Sequence, residues 1–190
     1  MRETGRDALV IGRRGDLPQV LVERFGKLGH RVRRLEADDA DADLAADLLV
    51  LLETPDGLAE PVEPEDTLSR ARAAVDVVQR ATATMKGRAF GRIVHVRSVP
   101  PTGSAASLAL SAFTSAGALG MLQELARQLA RFGITINMVT LTPAPAGDAS
   151  RPLPRREATV TEVAALIEML CHDEAGFMTA QCFPLISNVS

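Results

Sequence analysis

The chain lacks tyrosine and tryptophan entirely, and phenylalanine supplies all six of its aromatic residues among 190. It has only two lysines, Lys27 and Lys86, against nineteen arginines. No phenol can therefore act as an acid or a base at any position, and amine chemistry is confined to two positions. Both absences bear on the enzyme classes considered below.

Other features are missing as well. The two cysteines, Cys171 and Cys182, have neither disulfide-framework nor metal-site spacing, so we expect reduced packing residues. The chain contains no run of about 20 apolar residues, so no membrane span is predicted. The N-terminus lacks the apolar core of a signal peptide. A net charge of −3 argues against a nucleic-acid partner. These observations predict a cytoplasmic protein with no metal site.

What is present is typical of one globular domain spanning residues 1–190, with 46% apolar and 24% charged residues. Apolar runs alternate with helical periods, which predicts an α/β fold with a doubly wound parallel sheet. We expect Asp16 to cap the first helix, and Thr159 or Thr161 to cap the last. The predicted strands are 7–12, 30–35, 48–53, 91–96, 134–139 and 182–186, and the predicted helices are 17–28, 66–86, 105–132 and 161–172.

The segment 36–47 is acidic and poor in large apolar residues, which favours a solvated loop. A calcium loop is the alternative. It would use Asp38, Asp39, Asp41 and Asp43, but the segment lacks the central glycine and terminal glutamate of such loops.

Three segments carry a family resemblance: GRIVHVRS at 91–98, LQELARQLARFGITINMV at 122–139 and TEVAALIEMLCHDEAGFMTAQ at 161–181. With this order of elements the chain resembles the short-chain dehydrogenase/reductase family over nearly all of its length. The resemblance implies a Rossmann-like sheet, a nicotinamide cofactor and an oligomer. It also implies a truncated member, because the short connections after residues 35 and 139 leave one β-α unit and the substrate lid shortened or missing.

The family's glycine-rich cofactor loop is degenerate here. Gly12 holds the first glycine position, whereas Asp16 and Pro18 stand where the other two glycines belong. Asp16 places a negative charge near the position of a pyrophosphate, and Pro18 removes a backbone N–H. We therefore expect no bound dinucleotide, although Arg13 and Arg14 leave anion binding open.

The family's catalytic tetrad of Asn, Ser, Tyr and Lys is also incomplete. Ser98 keeps the serine, while Arg70, Ser111 and Ser115 stand at the Asn, Tyr and Lys positions. A serine hydroxyl titrates far above the range of a tyrosine activated by a nearby ammonium group. A serine nucleophile activated by His95 is an alternative, but no GxSxG elbow is present. His95 is more simply a strand histidine with a hydrogen-bonded ring.

From these losses we predict that the chain is not an enzyme. We expect an inactive subunit that assembles with an active paralogue as a heterotetramer, or with itself. It resembles in kind the inactive subunit of a heterotetrameric dehydrogenase that acts on a CoA thioester. The family's oligomer surfaces are the central helix and the last helix and strand. The central helix has a run of small residues: Ala105, Ala109, Ala112, Ser115, Ala116, Ala118 and Gly120.

A regulatory module is the alternative function. It would bind an anionic nucleotide or CoA near Arg13, Arg14 and Arg70, in place of the dinucleotide.

Overall fold

The computed structural model describes residues 5–13, 15–36, 42–53, 64–98, 105–142 and 156–186. Some side chains within 64–71 and 105–115 also lie outside this description, including those of Arg70, Ser111 and Ser115. No helix in the described part is both long enough and apolar enough to cross a membrane.

A parallel sheet of six strands forms the centre of the protein, in the order β2-β1-β3-β4-β5-β6. Because β2 and β3 lie on opposite sides of β1, the chain reverses its winding direction there. This topology is the predicted doubly wound α/β fold, which is thereby confirmed. The strands are β1 (Asp7–Ile11), β2 (Arg31–Leu35), β3 (Leu48–Glu53), β4 (Gly91–Ser98), β5 (Ile134–Thr142) and β6 (Cys182–Ile186).

Helices cover both faces of this sheet. Two of them pack on one face and two on the other, and each pair closes its own apolar layer. The first pair is α1 (Asp16–Lys27) and α4 (Val160–Cys171), and the second pair is α2 (Pro64–Arg88) and α3 (Ala105–Leu129), with single 3-10 turns at Ala130–Phe132 and Asp173–Ala175.

The strand β3 shows why the central segments read as unbroken apolar runs. Leu48, Val50 and Leu52 pack into the α1/α4 layer, while Leu49 and Leu51 pack into the α2/α3 layer. A strand buried on both faces has no solvent side, so its sequence does not alternate between apolar and polar residues.

Two strands extend further than predicted. The strand β4 continues to Ser98 and β5 to Thr142, because the two pair in register as far as Ser98 and Leu141. The extensions contain polar side chains, so the apolar sequence pattern ends before the strands do. The backbone pairing between β4 and β5 nevertheless continues through them. The extensions matter because they lie at the carboxyl edge, where a doubly wound sheet binds its ligands.

The two predicted helix caps differ in outcome. Gly15, with fully extended backbone, precedes α1, and Asp16 is the first helical residue, so the predicted Asp16 cap is wrong. At α4, Thr159 accepts a hydrogen bond from the Glu162 N–H, and the Glu162 carboxylate accepts one from the Thr159 N–H. This reciprocal capping box confirms Thr159 as the cap.

The prediction that one β-α unit is shortened or missing after residue 35 agrees with the sheet. The strand β2 lies at the edge, where the strand of that unit would otherwise follow. The described part of the β2–β3 connection, residue 36 and residues 42–47, contains no helix or strand. Of the calcium-loop alternative, Asp38, Asp39 and Asp41 lie outside the described residues. Asp43 is 3.8 Å from the Arg33 guanidinium, as in an ordinary surface ion pair.

Candidate functional site

The carboxyl ends of β1 and β3 form the crevice where the sheet reverses its winding. Open α/β sheets bind ligands in such a crevice, outside the carboxyl ends of the strands. Gly12 follows β1 directly, and Asp16 and Pro18 lie in the first turn of the next helix. The structure thus brings the three residues of the degenerate cofactor loop to the expected place.

Gly12 has a packing role of its own at this crevice. Its N–H donates a hydrogen bond to the Leu35 carbonyl at 3.0 Å. A Cβ atom at Gly12 would lie 2.7 Å from the Leu52 Cβ, which is too close for two carbon atoms that are not bonded to each other. The leucine at the end of β3 therefore requires a glycine here, with or without a cofactor.

The start of α1 differs from an ordinary phosphate-binding turn. Asp16 is exposed in the first turn, and Pro18 is buried in the same turn. Backbone N–H groups and the helix dipole attract anions at a helix N-terminus. Here the Asp16 carboxylate already supplies that negative charge, and Pro18 has no N–H to donate. Arg13 is exposed beside this turn, whereas Arg14 lies outside the described residues.

These residues do not fit the pyrophosphate of a nicotinamide dinucleotide. Binding would bring its two negative charges to a turn that already carries the Asp16 carboxylate. The same turn has no backbone N–H at Pro18 to donate to a phosphate oxygen. In addition, the one retained glycine is already in contact with Leu52. We therefore assign no step of a reaction to a dinucleotide bound at this turn.

The structure places the predicted catalytic positions only in part. Ser98 is the last residue of β4, half-buried at the carboxyl edge and paired with Leu141 of β5. Ser111 and Ser115 lie in α3 and Arg70 in α2, but their side chains are outside the described residues.

A buried cluster of charged and polar side chains at the same edge was not predicted. The His95 Nε2 lies 3.0 Å from the Glu53 Oε2, and the Arg97 Nη1 lies 3.9 Å from that same oxygen. His95 and Arg97 are both buried. The cluster faces the α2/α3 layer, because His95 and Arg97 alternate with Val94 and Val96 of the opposite layer.

The contact between His95 and Glu53 is close without being aligned as a hydrogen bond. Neither ring nitrogen of His95 has a well-aligned hydrogen-bond partner among the described residues. The imidazole therefore lies in close contact with a carboxylate, without the expected hydrogen bond. A carboxylate between an imidazole and a guanidinium offsets part of the cost of burying these groups.

A second buried guanidinium, that of Arg92, lies at the other end of the strands, near the amino end of β4. It donates to the Gly91, Gly133 and His172 carbonyls at 2.9–3.3 Å and stacks on the Phe90 ring. Burial lowers the pKa of Arg92 from its ordinary value. Since the backbone carbonyls use its donors, this residue ties chain segments together and is a structural group.

The remaining histidines and cysteines form no metal site. The Nδ1 of His30 accepts from the Arg6 N–H, and the Nδ1 of His172 accepts from the Glu174 N–H. Cys171 is buried in the core, and Cys182 is half-buried 4.0 Å from the Thr140 hydroxyl. Among the residues that the structure describes, no three His, Cys, Asp or Glu side chains could hold a metal ion.

Comparison with known proteins finds distant relatives of this chain. No family model matches the sequence. A 3-oxoacyl-[acyl-carrier-protein] reductase, MabA, of Mycobacterium tuberculosis is 26% identical over 162 residues, covering 77% of this chain and 62% of the relative. MabA of Mycobacterium avium is 25% identical over 158 residues, covering 77% of this chain and 60% of that protein. The chain thus spans about three fifths of the length of these curated relatives.

Solved structures show the same fold. A dehalogenation enzyme superposes with a TM-score of 0.76 at 21% identity, covering 98% of this chain and 99% of the other. YwfH, an NADPH-dependent reductase of bacilysin biosynthesis, superposes with a TM-score of 0.67 at 19% identity, covering 95% and 98%. At 19% and 21% identity, these matches show a shared fold.

The comparisons overturn one prediction. From the degenerate cofactor loop and the loss of Tyr and Lys at the catalytic positions we predicted that the chain is not an enzyme. Its curated relatives are named as 3-oxoacyl reductases, and YwfH is named as an NADPH-dependent reductase. The homology is to oxidoreductases, so the prediction of a non-enzyme is corrected. It relied on Ser111 and Ser115 standing at the Tyr and Lys positions, and that replacement does not exclude acid or base chemistry by another group.

Proposed function

We propose that this chain is a subunit of an oxidoreductase assembly that acts on an oxoacyl thioester. In this assembly α3 packs against a paralogous dehydrogenase chain of the same fold. The observation that carries the proposal is the outward face of α3, which is exposed, apolar and formed mostly by small residues. The thioester substrate class rests on the names of the curated reductases.

The outward face of α3 is distinct from the face that packs on the sheet. Ala118, Leu122 and Ala126 are buried in the apolar layer between α3 and the sheet, where α3 packs on β5. The opposite side is exposed, with Phe113 at 76% and Met121 at 40% of full exposure. We call this side the α3 apolar face, consisting of Ala109, Ala112, Phe113, Ala116, Gly117, Gly120 and Met121.

This face suits contact with another helix. A Cβ atom at Gly117 or Gly120 would meet nothing within 4 Å, so the chain's own side chains leave the space above both glycines open. Phe113 and Met121 flank Gly117 at a spacing of four residues, hence on one side of the helix. Two large side chains with a glycine between them form a recess that can accept a ridge of a second helix.

The face also has a polar end. Glu124 accepts hydrogen bonds from Arg127 at 2.6 Å and from Gln128 at 3.0 Å, which places an exposed polar network one turn beyond Met121. An apolar patch bounded by polar residues is typical of a protein–protein interface. A chain of the same fold offers a helix of similar length for this contact, which favours a paralogue as the partner.

The test is co-expression with the full-length dehydrogenase of this fold encoded nearest to it, followed by mass determination of the purified complex. We expect a defined complex of the two chains that reduces acetoacetyl-CoA with NADH or NADPH. Phe113→Glu should weaken the complex at least tenfold, because it buries a charge at the contact. Leu28→Glu is the matched control, since Leu28 is 40% exposed on another part of the surface.

Three results would contradict the proposal. The two chains could elute separately, the complex could form equally well with Phe113→Glu, or the chain alone could use the α3 apolar face to pair with a second copy. The last result would replace the paralogue with a homodimer.

A further inference from the structure

The crevice at the carboxyl ends of β1 and β3 holds the degenerate cofactor loop with Gly12, Asp16 and Pro18. In doubly wound sheets the pyrophosphate of a dinucleotide lies here, against the first helix N-terminus. The curated relatives and the NADPH-dependent reductase share the fold, so the same ligand would be expected at the same crevice. Two observations on this chain bear on that expectation.

The first observation is the packing of Leu52 on Gly12. A Cβ atom at Gly12 would clash with the Leu52 side chain, whose Cβ lies 2.7 Å and whose Cδ1 lies 3.2 Å from that position. Leu52 is nearly fully buried and belongs to the same apolar cluster as Leu17 of α1. Internal packing therefore explains the glycine equally well, and Gly12 alone is no sign of a bound phosphate.

The second observation is the charge and donor pattern at the start of α1. The helix begins with the exposed Asp16, and its preceding residue, Gly15, has no side chain to cap it. A carboxylate in the first turn interacts favourably with the helix dipole, as a bound phosphate would. Pro18, two residues later, cannot donate a backbone hydrogen bond.

We infer that Asp16 and Pro18 close the β1/β3 crevice of this chain to a dinucleotide pyrophosphate, with Asp16 supplying the negative charge that the phosphate would bring. The inference stands apart from the proposed assembly, because it concerns the isolated chain. It predicts a specific reversal: removing the charge and restoring the donor should restore nucleotide affinity. A like charge a few ångströms from a phosphate in a partly solvated site changes affinity by about tenfold.

The test uses the full chain and measures the binding of NADH, NADPH and ADP-ribose by titration calorimetry. We expect no saturable binding by the parent at millimolar ligand. Asp16→Asn and Pro18→Gly should each bring detectable binding, and the double variant should bind about tenfold more tightly than either single variant. Glu23→Gln is the matched control, because it removes the same charge from an exposed position of α1 two turns away. It should leave the parent's behaviour unchanged.

Two outcomes would overturn the inference. Micromolar binding of NADH or NADPH by the parent would show that the crevice accepts the pyrophosphate despite Asp16 and Pro18. If no folded variant gained affinity, these two residues would not be the cause. Circular dichroism of each variant establishes that it is folded, and the Asp16→Asn variant keeps the buried Pro18 in place.

Discussion

His95 and Glu53 meet across two neighbouring strands, with 3.0 Å between the imidazole Nε2 and the carboxylate Oε2. Their side chains are only 2% and 16% exposed. In sequence the two residues are far apart, and the register that pairs Leu51 with His95 and Glu53 with Arg97 brings them together. The Arg97 guanidinium, 3.9 Å from the same oxygen, balances the carboxylate charge.

The buried position of this cluster predicts a stability effect. Glu53→Gln removes the negative charge that faces the buried Arg97 guanidinium. The free energy of unfolding should fall by about 3 kcal/mol, within the range for breaking a buried ion pair. A double-mutant cycle with His95→Gln, measured by urea denaturation, should give a coupling energy of about 1–2 kcal/mol.

The exposed pair of Arg127 and Glu124 provides the control for that cycle. Its side chains are 65% and 55% exposed, so Glu124→Gln should leave stability unchanged within measurement. A Glu53→Gln variant as stable as the parent would show that the buried carboxylate contributes nothing to folding.

Gly117→Ala should change the stability of the chain and its assembly in opposite directions. An alanine there meets no atom within 4 Å, and it replaces a glycine in the interior of α3. We expect the free energy of unfolding of the isolated chain to rise by about 1 kcal/mol, because alanine favours the helix. The proposed complex should become weaker, since the added methyl group fills the recess between Phe113 and Met121.

Gly26→Ala in α1 is the matched variant, because it too meets nothing within 4 Å. It should stabilise the chain without changing its association, which sedimentation of both variants with the partner can measure. Equal association of the parent and Gly117→Ala would argue against close helix packing at this position.

Gly133 and Gly29 form a second informative pair. Both have positive φ angles, +70° and +85°. A Cβ atom at Gly133 would lie 2.5 Å from the Ala89 carbonyl oxygen, whereas one at Gly29 would meet nothing. Gly29→Ala should therefore cost about 1 kcal/mol for the left-handed backbone alone, and Gly133→Ala more than about 2 kcal/mol because of the added clash. Thermal and urea denaturation measure both, and equal losses would show that the backbone at residue 133 relaxes freely.

The capping box of α4 predicts a pH dependence. Hydrogen bonds from the Arg156 guanidinium, followed by those from Thr159, lower the pKa of Glu162 from 4.5 to about 2. Because the folded state holds this proton less tightly, the contribution of Glu162 to stability is present above about pH 4.5. It is lost as the pH falls from there towards 2.

The melting temperatures of the parent and Glu162→Gln, compared from pH 7 to pH 2.5, test this dependence. We expect the parent to be more stable at pH 7 and the difference to shrink below pH 4.5. A difference that stays constant over the whole range would contradict a lowered pKa.

Much of the fold was predictable because it depends on local patterns. The run LLVLLE at 48–53 predicts a strand buried on both faces, and β3 has these bounds. The amphipathic segment after Thr159 predicts α4, and its capping box follows from the spacing of Thr159 and Glu162. Such signals lie within a few residues of one another, so the folded context does not change them.

The predictions about the site were weaker for a physical reason. Asp16 reads as a helix cap from sequence, but the extended backbone of Gly15 shifts the start of α1 by one residue. Gly12 reads as the remnant of a phosphate loop, although its packing against Leu52 explains it equally well. Neither the helix start nor the contact across β1 and β3 can be read from neighbouring residues.

The sequence by itself determined the doubly wound architecture, the absence of tyrosine and the negative charge at the start of α1, because these depend on composition and local periodicity. Only the tertiary structure decided that Glu53, His95 and Arg97 form one buried cluster and that the α3 apolar face is exposed. Strand register and helix orientation are set by packing between distant segments, and these two features result from that packing.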